Sequence, residues 1–111
     1  MAGKSGAALA TYGLNYLNIN ATKDGDNELI KKVTGSKIVV LGYALNVNAA
    51  GVVAFKDSAN TYASFEFTDG GGATYEGGPF CPAFEISANE PLLINCAAGV
   101  DALGHLVYIV V

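Results

Sequence analysis

Only one histidine is present, His105, in the run Leu103-Gly104-His105-Leu106-Val107-Tyr108. Acyl-transfer chemistry would need a nucleophile and a carboxylate converging on it. Asp101 is close in sequence, and serines stand at 58, 64 and 87, but no spacing ties them together. A histidine packed in a strand or facing a subunit neighbour is the simpler reading. Glu66, Glu76, Glu85 and Glu90 offer carboxylates for glycoside hydrolysis, which uses an acid and a partner at fixed separation. No pair is singled out. Asp24-Gly25-Asp26-Asn27-Glu28 alternates acidic groups as a calcium loop does, yet the sixth and twelfth places hold Leu29 and Gly35, where that loop needs Gly and Glu. Asp69-Gly70-Gly71-Gly72 lacks the Lys-Ser/Thr of a phosphate loop. Cys81 and Cys96 with a single histidine do not supply a zinc site. No catalytic residue, cofactor or metal is expected.

Composition narrows the classes further. Hydrophobic residues make up 51% of the 111 and charged residues 14%, well below the usual charged share of about 25%. A small domain has much surface to cover, so part of it must be neutral or apolar, and burial against other subunits is the expected remedy. The net charge is −4, and none of the six basic residues is arginine. Nucleic-acid binding needs a basic footprint, so no nucleic acid is expected as a partner. No run approaches the ~18 apolar residues of a membrane span, and the first residues lack the apolar core of a signal peptide. The chain is read as made in the cytoplasm. In a reducing compartment its two cysteines are expected as free, buried thiols, with a disulfide as the alternative.

The elements that hold these residues are strands. Lys37 to Val47, KIVVLGYALNV, is rich in β-branched and aromatic residues and bounded by turn signals, which marks a long strand. Its odd positions, Val39, Leu41, Tyr43, Leu45 and Val47, are expected to share the core face, because alternate residues of a strand point to opposite sides. The even positions fade from Ile38 and Val40 to Gly42, Ala44 and Asn46. Residues 1–12 are Gly/Ala-rich without a period and read as a flexible N-terminal arm. Residues 13–111 read as one domain. Within it, strands are expected over 13–22, 27–33, 37–47, 52–56, 62–67, 73–75, 92–96 and 103–111, with an edge segment at 80–84 interrupted by Pro82. About eight strands with frequent turns and no helical period indicate an all-β antiparallel sandwich, best a jelly roll. An immunoglobulin-like sandwich is second, because its Cys…Trp…Cys hallmark is absent. In a jelly roll the first, third and last long strands should lie together in one sheet.

From Asp24 to Val111 the chain also resembles a family of small virion proteins of tailed bacteriophages. The resemblance is carried by Gly25-Asp26-Asn27-Glu28-Leu29-Ile30 and by Val33-Thr34-Gly35-Ser36-Lys37-Ile38-Val39-Val40-Leu41-Gly42-Tyr43. Val53-Ala54-Phe55-Lys56-Asp57, the glycines at 70–72, Phe84-Glu85-Ile86-Ser87-Ala88 and the closing Gly104 to Val111 complete it. These are strand and turn signals. The resemblance implies a jelly-roll capsid decoration, or cement, protein that forms a homotrimer, binds the major capsid protein and rides on the virion surface. A receptor- or glycan-binding tip of a tail fibre is the alternative. Contact residues expected on these readings are Lys4, Leu9 and Tyr12 in the arm, the loops at 57–61 and 69–78, and the aromatics Tyr62, Tyr75 and Phe80.

Overall fold

A computed structural model describes residues 13–111. Lys4, Leu9 and Tyr12 therefore lie outside the described residues. Nine strands follow in order: β1 (Asn15–Ala21), β2 (Gly25–Ile30), β3 (Ile38–Val47), β4 (Gly51–Lys56), β5 (Thr61–Phe67), β6 (Gly71–Tyr75), β7 (Phe84–Glu85), β8 (Leu92–Cys96) and β9 (Ala102–Val110). Among the described residues there is no helix. The larger sheet runs β1-β9-β3-β6, with β7 also on β3, and the smaller runs β2-β8-β4-β5. All pairings are antiparallel.

This order is a jelly roll. The chain crosses between the sheets at most connections, β4 and β5 staying in the smaller sheet and β6 and β7 in the larger, and β1, β9 and β3 lie side by side as the length of their segments indicated. The immunoglobulin-like alternative does not fit it. The second strand begins earlier than expected, because Asp26 pairs with Asn95 and so belongs to the ladder and not to the turn.

The core lies between the sheets. From the larger sheet come Ile19, Ile38, Val40, Leu45 and Leu106, and from the smaller Val53, Phe55, Leu92, Ile94 and Cys96, all buried. Phe55 is its centre. Its ring lies 5.0 Å from Tyr43 and 5.5 Å from Phe84, centroid to centroid, within the range where tilted aromatic pairs attract.

The central strand departs from simple alternation. Val40 pairs with Tyr108 and Gly42 with Val107, so Leu41 is an extra residue, a β-bulge. A bulge reverses the facing of everything beyond it. Ile38 and Val40 point into the core before it, and Tyr43, Leu45 and Val47 after it. Val39 and Leu41 instead join Ile109 and Val107 in a separate cluster. That cluster lies on the outer face of the larger sheet. The expectation that all five odd positions share one face thus holds for the last three and fails for Val39 and Leu41. Gly42 permits the kink: a Cβ there would sit 2.9 Å from the Tyr75 carbonyl oxygen. Gly104, at φ +154°, is equally constrained, since a Cβ would collide with the Ala44 carbonyl.

Candidate functional site

The two outer faces differ in chemistry. Alternation on the smaller sheet places Asp26, Glu28, Lys56 and Glu66 outward, with Lys56 Nζ 3.5 Å from Asp26. On the larger sheet the outward rows read Asn20–Leu103–Asn46–Gly72 and Asn18–His105–Ala44–Thr74, with Tyr16 beside Val107. None of these is Lys, Asp or Glu. Leu14, Tyr16 and Leu103 are 43%, 75% and 49% exposed, and all three belong to this side. This side is therefore neutral along its strand rows, with three large apolar side chains in the open.

A cleft of about 530 Å³ opens on the same side, lined among others by Leu14, Leu41, Tyr43, Tyr75, His105 and Val107. Its far wall is residues 74–79, where the chain leaves β6. Tyr43 and Tyr75 stack at 6.2 Å, and burial pushes the Tyr43 phenol above its ordinary pKa. The Tyr75 hydroxyl donates to the Cys81 carbonyl at 3.0 Å, and its contact with Cys81, then burial, raise its pKa. Both rings pack on the inner side of the sheet, and the cleft itself offers Thr74, His105 and the Glu76 carboxylate around Leu41 and Val107. In register, His105 stands between Asn18 and Ala44, and no serine flanks it.

The other carboxylates singled out from the sequence are held separately. Glu85 pairs with Lys37 at 3.0 Å, and Glu90 accepts from the Ser58 backbone at 2.8 Å. Asp24 accepts from the Gly99 amide and Asp26 from the Asn95 side chain. Among the described residues, no group of three His, Cys, Asp or Glu is arranged to hold a metal. Both cysteines are free; Cys96 is buried as expected, whereas Cys81 is exposed because it lies in the surface turn after Pro79. Burial, then the negative charges of Asp101 and Asp24, push the Cys96 thiol up.

Of the aromatics named as contacts, Phe80 is 73% exposed on its turn. Tyr62 and Tyr75 sit in β5 and β6, half-buried, with hydroxyls already engaged. Tyr62 stacks on Phe84 at 5.6 Å and donates to Asp57 at 2.5 Å. It also accepts from the Ser87 amide at 3.1 Å. Asp57 itself is fully buried and accepts from the amides of Ala59 and Asn60 at 2.8 and 2.7 Å. Burial acts to raise its pKa, but these hydrogen bonds outweigh it and hold the carboxyl at about 2. The group is a latch fastening the β4–β5 turn to the segment after β7. Asp57-Ser58-Ala59-Asn60 is a sequence that suits such local side-chain-to-amide bonds; the tertiary partners Tyr62 and Ser87 carried no signal.

Comparison with protein-family models gave no match, and comparison with curated proteins gave none either.

Proposed function

We propose that this chain is a capsid decoration protein of a tailed bacteriophage, a non-enzymatic cement that binds the outer shell through the major capsid protein. It is made in the host cytoplasm and carried on the virion, and it self-associates, as a homotrimer in the family it resembles. One observation supports this most: the charge-free rows on the outer face of the larger sheet, with Leu14, Tyr16 and Leu103 exposed on that side. A rigid sandwich with one largely neutral face suits a protein whose work is to add contacts across capsomer seams. Binding only the mature lattice would stabilise it by mass action, and repeated sites would add avidity. The test is co-sedimentation of the purified chain with expanded shells of the major capsid protein encoded in the same genome. Saturable binding and a higher shell disassembly temperature are expected. No binding at micromolar concentrations overturns the reading.

The cleft favours a second reading. Thr74, Glu76 and His105 around the apolar Leu41 and Val107 suit the hydroxyls and apolar face of a sugar ring, as a receptor-binding tail-fibre tip would need. A positive glycan array with no shell binding would select it.

A further inference from the structure

Among the described residues the two sheets have four free edges, and three are blunted. β2 carries Asp26 and Glu28 and has a register shift between Glu28 and Ile30. β5 carries Glu66 and faces a shift at Phe55/Lys56. The β6 edge is five residues opening on two glycines, and β7 beside it is two residues long. These are the devices by which sheet proteins prevent edge-to-edge pairing. β1 has none of them. Its seven residues, Asn-Tyr-Leu-Asn-Ile-Asn-Ala, pair with β9 from Asn15–Tyr108 to Ala21–Ala102 without a shift. They include no Lys, Asp, Glu or Pro, and among the described residues no strand lies on the far side of β1.

We propose that the β1 edge is an interface for a second copy of this chain, whose own β1 pairs with it antiparallel about a two-fold axis through Asn18. The sequence of β1 is self-complementary about that residue. Leu17 meets Ile19, both on the inner side, and Tyr16 meets Asn20 on the outer side, so apolar stands opposite apolar and neutral opposite neutral. The pairing also holds the charged face apart, because Asp26, Glu28 and Glu66 belong to the other sheet. Residues 1–12 are a poorer occupant, since Gly, Ala, Lys and Ser account for eight of them and have low strand propensity. The inference stands independently of the virion reading, and a two-fold contact at β1 is compatible with a three-fold contact made elsewhere on the chain.

The test is mass by light scattering across a concentration series, with variants at exposed Asn18. The wild type doubles in mass as concentration rises, starting from 11.4 kDa for a lone chain or from three times that where a three-fold contact already holds. Asn18→Lys sets two cations opposite each other and raises the dissociation constant at least tenfold, while Asn18→Thr leaves it within threefold. Circular dichroism confirms that both variants fold. Independently, Asn18→Cys in a Cys81→Ser background forms a symmetric disulfide under mild oxidation, since directly opposed residues lie within about 5.5 Å. Three results overturn the proposal: a monomer at every concentration, an assembly whose mass Asn18→Lys leaves unchanged, or association that vanishes when residues 1–12 are deleted.

Discussion

Replacing Asp57 by asparagine tests whether the buried latch stabilises the fold as a carboxylate. The folded-state pKa of about 2 stands against an ordinary value of 3.8. At about 1.4 kcal/mol per pKa unit, the ionised form contributes about 2 kcal/mol to folding. The sign follows from the depression: the contribution is complete above the unfolded value and disappears as pH falls through the folded one. About half of it should remain at pH 3 and almost none below pH 2. The Asp57→Asn side chain keeps the shape and one acceptor oxygen but cannot ionise. The variant therefore loses about 2 kcal/mol at pH 7, which lowers Tm by roughly 9 °C in a domain of this size. Urea unfolding of both proteins at pH 7, 5, 4 and 3 isolates the effect, because the other carboxylates contribute alike to each. The difference in stability should shrink from about 2 to about 1 kcal/mol between pH 7 and pH 3. A difference constant over that range would refute the electrostatic argument and leave the latch a matter of shape alone.

Other consequences can be checked as directly. Gly104→Ala should cost more than about 3 kcal/mol or prevent folding, since strain at positive φ adds to a collision with the Ala44 carbonyl; soluble yield and Tm report it. Lys37→Ala should change stability by less than about 0.5 kcal/mol, because its partner Glu85 and the lysine are both about half exposed; thermal unfolding at low and high salt checks this. A thiol reagent should label Cys81 at once in the native protein and Cys96 only on unfolding, since one is exposed and the other buried; mass spectrometry counts the labels.

The fold was legible because most strands are long, β-branched and separated by strong turn signals. Ile38-Val39-Val40-Leu41 shows where legibility ended. Four large apolar residues in succession give no periodicity, so nothing in the sequence marked Leu41 as the bulged one. Tyr75 and the turn after it approach Gly42, next to the bulge, from another strand, a contact that local sequence does not display. The Asp57 latch was half legible for the same reason: its amide donors are two and three residues away, but Tyr62 and Ser87 converge on it only through the fold. The neutral rows were foreshadowed by the low charge count, yet composition could not say that most of the strand-borne charges would gather on the opposite sheet.

The position of β9 between β1 and β3 has a consequence for how the chain folds. Asn15 finds its partner at Tyr108, across nearly the whole described sequence. Closing so large a loop costs entropy before any ladder bond repays it, and topologies of this kind fold in milliseconds to seconds. The β4–β5 hairpin can form locally in microseconds. The smaller sheet therefore has a nucleus early, while the larger waits on its last strand. During that interval both long edges of β9's slot, β1 and β3, are open to the wrong strand, and crowding of nascent chains becomes a hazard. Variants that weaken β9 should slow folding and lower soluble yield well before they unfold the finished protein.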